Sequence, residues 1–115
     1  MQDIQQYWPL AAVACWFAFK AWRARRVVAM LPQLKAQGAC LVDVRSVAEF
    51  AQASAPDTLN IPLDSLGTRL AELPRDRPVV LACASGTRSG MARMLLKKHG
   101  YTQLYNIGNW RNFMR

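Results

Sequence analysis

The sequence predicts an α/β fold: a parallel sheet flanked by helices on both faces and preceded by one N-terminal hydrophobic helix. Three observations carry this. From residue 39 onward, short apolar runs alternate with stretches of helical spacing, the pattern of parallel strands joined by crossover helices. Cys40–Val44 and Val79–Ala82 are largely apolar runs bounded by turn residues, as strands covered on both faces are. Finally, Tyr7–Phe19 carries no charge and is followed by Lys20, Arg23, Arg25 and Arg26.

The elements follow in chain order. Counted from Ile4 to Trp22, with Lys20 snorkelling, the first helix reaches ~28 Å at 1.5 Å per residue and just spans a ~30 Å hydrocarbon layer. Tyr7, Trp8 and Trp22 stand where an aromatic belt would be, and the arginines lie on one side only. The expectation is therefore a membrane anchor at residues 4–22. It sits within an N-terminal segment 1–26, with a second domain, 27–115, facing the cytoplasm from the inner membrane. Residues 23–28 continue the helix as a linker. Met30–Gln37 reads as a short helix with Pro32 in its first turn and Gly38 at its end. Cys40–Val44 is a strand. Ser46 and Glu49 have the spacing of a capping box for a short helix. Residues 51–57 form a loop, and Thr58–Ile61 a short strand stopped by Pro62. Leu63, Leu66, Leu70 and Leu73 fall at helical spacing up to Pro74. Val79–Ala82 is a strand, Gly90–His99 a helix closed by Gly100, Gln103–Ile107 a last strand, and Gly108–Arg115 a turn and short helix.

Ligands of such folds sit beyond the carboxyl ends of the strands. Asp43, Arg45, Asn60, Cys83 and Gly108 follow or end strands, so they share one edge. The centre of that edge is Cys83-Ala84-Ser85-Gly86-Thr87-Arg88-Ser89. A thiol there leaves a buried strand and enters a loop of small residues that leads to a helix N-terminus. Unpaired N–H groups and the helix dipole favour a thiolate at such a place. Cys83 is thus the expected nucleophile. Ala84, Ser85, Gly86, Thr87, Arg88 and Ser89 are the residues expected to surround an anion. Asp43, Arg45 and Glu49 are supporting residues: Glu49 pairs with Arg88 or Arg45, and a framework ion pair is the favoured reading.

Composition narrows the function. The chain has 115 residues and a net charge of +8. Half of that charge is the cluster Lys20, Arg23, Arg25 and Arg26, and no nucleic-acid motif accompanies it, so nucleic acid is not an expected partner. Three cysteines, Cys15, Cys40 and Cys83, and one histidine, His99, show no zinc spacing, so no metal is expected and a reducing compartment is. Cys40 is expected to pack in its strand, Cys15 to face lipid or a partner helix, and His99 to place charge at a helix C-terminus.

The motifs resemble those of a single-domain rhodanese, in a membrane-anchored variant. Leu41-Val42-Asp43-Val44-Arg45 with Glu49-Phe50 is similar to that family's opening motif. Asn60-Ile61-Pro62-Leu63 resembles its N-I-P-L segment, Cys83–Ser89 its active loop C-x-S-G-x-R-S, and Gly100-Tyr101 and Tyr105–Gly108 its closing turns. The resemblance covers roughly residues 28–115. It implies a rhodanese-like sheet and a sulfurtransferase with no cofactor beyond a transient persulfide on Cys83. That sulfur would come from a small donor such as thiosulfate and pass to cyanide, a thiol or a sulfur-carrier protein. The alternative within the resemblance is a membrane-tethered relay or binding module with little turnover. Residues 53–58 depart from the family's usual segment, Asn109 replaces a glycine, and Ala84 stands where a charged or polar group is common. A phosphatase-like use of the loop is disfavoured, because only four residues separate Cys83 from Arg88.

Overall fold

A computed structural model describes residues 2–115, with side chains from residue 5 onward; Met1, in the expected 1–26 segment, lies outside the described residues. Helix α1 runs unbroken over Gln2–Ala36. Strand β1 (Cys40–Asp43), helix α2 (Val47–Gln52) and strand β2 (Leu59–Asn60) follow, then two 3₁₀ pieces, Leu63–Thr68 and Leu70–Glu72. Strand β3 (Val79–Cys83), helix α3 (Thr87–Lys98), strand β4 (Leu104–Asn109) and a 3₁₀ turn, Trp110–Met114, complete the chain. The four strands form one parallel sheet in the order β2-β1-β3-β4.

Strand periodicity explains the two-faced core. Val79, Leu81 and Cys83 point to one face, where they pack with Val42, Ile61, Leu66, Ala92 and Leu96. Val80 and Ala82 point to the other, with Leu31, Leu34, Leu41, Ile107, Trp110 and Phe113. α3 and the 3₁₀ pieces cover the first face, and the C-terminal half of α1 covers the second. Helices on both faces are thus observed, and the second covering layer is the part of α1 expected as a linker at residues 23–28 and a short helix at Met30–Gln37, continuous with the expected anchor.

That membrane expectation is overturned. Among the described residues, no helix is long and apolar enough to cross a membrane. α1 is long, but its charge-free run, Ile4–Phe19, opens on Ile4 and two glutamines and extends only about 24 Å before Lys20 and the arginines begin. The single-pass inner-membrane placement and the lipid-facing role of Cys15 fall with it; Cys15 lies exposed on α1. Lys20 does not snorkel away from the domain but turns to the Cys83 loop. The stripe Lys20, Ala24, Val27, Val28, Leu31 and Leu34 is half-buried to buried, the i, i+3, i+4 face of a helix laid on a sheet. Trp8, Trp16, Phe17 and Trp22 are exposed.

Smaller differences have local causes. The helix expected at Met30–Gln37 is the last part of α1, which tolerates Pro32 in its interior. α1 ends in a Schellman motif, with Ala39 N bonded to Leu34 O at 3.0 Å and Gly38 N to Lys35 O at 2.9 Å. The helix expected over Leu63–Leu73 is two 3₁₀ pieces. Leu63 and Leu66, like Leu70 and Leu73, are three apart, which suits three residues per turn. The capping box of Ser46 and Glu49 is present as expected. α3 begins at Thr87, a turn earlier than the apolar pattern marks, so the loop runs directly into it.

Candidate functional site

Cys83 is the last residue of β3 and is fully buried at the sheet's carboxyl edge. The chain then turns through Ala84, Ser85 and Gly86 and enters α3. Gly86 adopts φ +94°, and a side chain there would stand 3.2 Å from the Gly108 Cα. Only glycine meets both conditions without strain. This turn aims Gly86 N–H at Cys83 Sγ, 2.9 Å away. The Ser89 hydroxyl, on the first turn of α3, is 3.4 Å from the same sulfur. Burial pushes the thiol up. The Ser89 hydroxyl and the backbone N–H groups of Ser89, Ser85 and Gly86 outweigh it, leaving Cys83 below the ordinary thiol value.

β4 locks the loop in place. Its register against β3 shifts between Leu81 and Ala82, so that Ile107 is bulged out and Gly108 follows at φ +83°. The bulge turns the Asn106 side chain into the loop. Asn106 Oδ1 accepts from Ser89 Oγ at 2.7 Å and from Gly108 N at 3.0 Å, and its Nδ2 donates to Gly86 O at 3.0 Å. Asn109 Nδ2 donates to Ala84 O at 2.7 Å. In the sequence Asn106 and Asn109 stand out only as parts of closing turns; the signal for a further role is asparagine inside a strand, where it is uncommon.

The other expected residues divide into two groups. Arg88 turns to Glu49, with Nη1–Oε1 at 2.7 Å and Nη2–Oε2 at 3.0 Å. Glu49 Oε1 also accepts from Ser46 N and Oγ. The Arg88 guanidinium, with Ser46, holds the Glu49 carboxyl down at about 2. Glu49 in turn raises Arg88, with a smaller contribution from the Cys83 thiolate. Asp43 and Arg45 form a separate buried pair at 2.7 Å. Arg45 donates to Ala53 O at 2.7 Å and lies over the Trp110 ring, 4.5 Å from its centroid. Asn60 Nδ2 holds the carbonyls of Asp43 and Arg45, each at 3.0 Å. These residues frame the edge and contribute no contact to the sulfur.

Ser85 and Thr87 lie at the exposed rim, their hydroxyls 3.3 Å apart. Thr87 Oγ1 also accepts from Lys20 Nζ, on α1, at 3.1 Å. Cys40 opens β1, half-buried, and burial pushes its thiol up. His99 lies at the end of α3, where its Nδ1 is 2.9 Å from Leu95 O. Among the described residues, no group of three or more His, Cys, Asp or Glu is gathered for a metal ion. The arrangement can hold a thiolate, and an anionic extension of it, against a ring of N–H and O–H donors.

Comparison with known proteins agrees with this geometry. The description "Rhodanese-like domain" matches residues 24–114. A sulfurtransferase of Allochromatium vinosum is 43% identical over 67 residues, covering 58% of this chain and 63% of that protein. The chain thus spans under two thirds of that relative's length. The thiosulfate sulfurtransferase GlpE of Pseudomonas savastanoi pv. phaseolicola is 32% identical over 74 residues, 64% of this chain and 70% of that protein. Among solved structures, a human single-domain sulfurtransferase is 32% identical with a TM-score of 0.57, covering 73% of this chain and 88% of its own.

Proposed function

Since the chain belongs to the rhodanese-like domain family, we propose that it is a sulfurtransferase working through a persulfide on Cys83. One observation carries the reading: a buried thiol held below its ordinary pKa by the Ser89 hydroxyl and by N–H groups of its own loop. Such a thiolate is a nucleophile near neutral pH.

With thiosulfate as donor, the Cys83 thiolate attacks the outer sulfur. The sulfur–sulfur bond of the donor breaks, and sulfite leaves with the electron pair. The product, a Cys83 persulfide anion, carries the same charge as the thiolate it replaces. A cyanide ion or thiolate then takes the terminal sulfur, giving thiocyanate or a new persulfide and restoring the Cys83 thiolate. The two half-reactions need no further oxidant or reductant. The N–H donors of Gly86 and its neighbours bear on Cys83 Sγ, which carries the charge in the thiolate; in the persulfide the charge sits on the outer sulfur, which the rest of the loop is placed to surround. Ser89 and Asn106 keep those donors in register. A sulfur-carrier protein is a fitting acceptor for the same persulfide.

Mass spectrometry after incubation with thiosulfate tests this. One added sulfur on the wild-type protein, located at residue 83 and absent from Cys83→Ser, is the expected result. Failure of Cys83 to gain sulfur from thiosulfate, polysulfide or a persulfidated thiol would refute it.

A further inference from the structure

The loop's own cation is already committed. Arg88 is bound through both terminal nitrogens to Glu49, and nearby Arg45 is bound to Asp43. Each of these charges is balanced by a carboxylate before any substrate arrives. Lys20 is different. Among the described residues it has no carboxylate partner: its hydrogen bond goes to a neutral hydroxyl, Thr87 Oγ1, at 3.1 Å, and its second contact is the Trp16 ring, with Nζ 4.5 Å from the centroid. Thr87 is the first residue of α3, four residues beyond Cys83.

The placement of Lys20 is built into the helix packing. Ala24, one turn further along α1, meets Gly108 so closely that a side chain at Gly108 would stand 3.3 Å from the Ala24 Cβ. A small residue on α1 facing a glycine on the β4 bulge lets the helix settle at the sheet's carboxyl edge. Lys20, at i−4 from Ala24, is then carried over the loop, where its Cε would be 3.8 Å from a side chain at Gly86. The contact also orders a hydroxyl. Thr87 Oγ1 accepts from Lys20 and from Ser85 Oγ. With both lone pairs engaged, the group Thr87 has left to offer is its proton, a donor at the rim of the site.

We propose that Lys20 is the anion-selecting residue of the Cys83 site: α1 sets its uncompensated charge at the loop rim, where it draws anionic reaction partners to the sulfur and fixes the Thr87 hydroxyl as a donor to them. The inference rests on Cys83 being the reacting group. In the sulfur-transfer reading, the chemical class selected is the small oxyanion donor, such as thiosulfate, over uncharged sulfur compounds of similar size.

The test compares alkylation of Cys83 by iodoacetate, an anion, with alkylation by iodoacetamide, its neutral counterpart, each rate read at the Cys83 peptide. In Lys20→Gln the iodoacetate-to-iodoacetamide rate ratio should fall about 3- to 10-fold, the effect of one partly screened charge a few ångströms from the reagent. Lys20→Arg should restore it, and added salt should shrink the wild-type preference. Lys35→Gln removes the same charge from the far, exposed end of α1 and should leave the ratio unchanged. A loosened loop would slow both reagents alike, so a change in ratio reports charge at the rim. An unchanged ratio in Lys20→Gln, or an equal fall in Lys35→Gln, overturns the proposal. The KM for thiosulfate should rise in Lys20→Gln with kcat little altered, and a kcat loss without a KM change also counts against it. Absence of a persulfide on the wild-type protein would defeat the sulfur-transfer reading alone, while the alkylation ratio would still decide the role of Lys20.

Discussion

Ser89→Ala should separate the reactivity of Cys83 from the stability of the fold. Ser89 is fully buried, and its hydroxyl is the one side-chain donor among the groups that favour the Cys83 thiolate. Its one proton has two acceptors: Asn106 Oδ1 at 2.7 Å and Cys83 Sγ at 3.4 Å. A hydrogen bond to a charged group contributes about 1.5–3 kcal/mol. The long, shared contact to sulfur belongs at the lower end, and about 1.4 kcal/mol is a tenfold change in an equilibrium. The acid dissociation constant of the Cys83 thiol should therefore fall about tenfold in Ser89→Ala. Stability should drop by only about 1 kcal/mol, because Asn106 Oδ1 keeps its bond from Gly108 N. The sign is set by the charged form: the folded-state thiol lies below its ordinary value, so deleting a donor moves its titration upward. The assay is the iodoacetamide rate at Cys83 as a function of pH, with urea unfolding run alongside. The wild-type profile should reach its plateau at lower pH than that of Ser89→Ala. If the two profiles superimpose while both proteins remain folded, the hydroxyl does not tune the thiol and the reasoning fails.

Two further outcomes follow from the same geometry. Gly86→Ala places a Cβ 3.2 Å from the Gly108 Cα at a φ of +94°; the strain should cost about 1–3 kcal/mol in a denaturant titration, and relief by moving the loop should draw Gly86 N–H off the sulfur and slow alkylation of Cys83. For Glu49, a folded-state value of about 2 lies below the ordinary carboxylate range. The stabilisation from its pairing is thus present above that ordinary range and is lost only as pH falls toward about 2. NMR of the Glu49 carboxyl carbon should show no titration between about pH 4 and 8, and a midpoint inside that window would mean the Arg88 pair is not formed in solution.

Much of the sheet was legible because its information is local. Val79–Cys83 is apolar at every position, and all five residues are buried; a run that short and continuous has few other uses. Ser46 and Glu49 announced their helix through spacing alone, and the capping box is there. The position of Cys83 was readable for the same reason, since strand, small-residue loop and helix follow one another in sequence. Asn106 was not readable as a clamp. Its partners Ser89, Gly86 and Gly108 are brought to it by a register shift of β4 against β3, and a bulge of one residue leaves little mark on an apolar pattern. The partner of Glu49 was narrowed to Arg88 or Arg45 and no further: the choice of Arg88, through both terminal nitrogens, depends on how α2 and α3 meet in space.

The misreading of α1 shows why a charge-free apolar stretch does not by itself define its surroundings. Tyr7–Phe19 and the arginines that follow have the order of an anchor and its flank, and nothing within those residues separates that reading from a helix that docks on its own domain. The distinguishing pattern lies further along the chain. Lys20, Ala24, Val27, Val28, Leu31 and Leu34 form one stripe that crosses the expected boundary at residue 26, and its last members enter the core beside Val80 and Ile107. Once that stripe is fixed on the sheet, helical geometry determines where Lys20 must lie, and it lies at Thr87. The lysine that weakened the case for a span is thus the residue that ties α1 to the chemistry of Cys83.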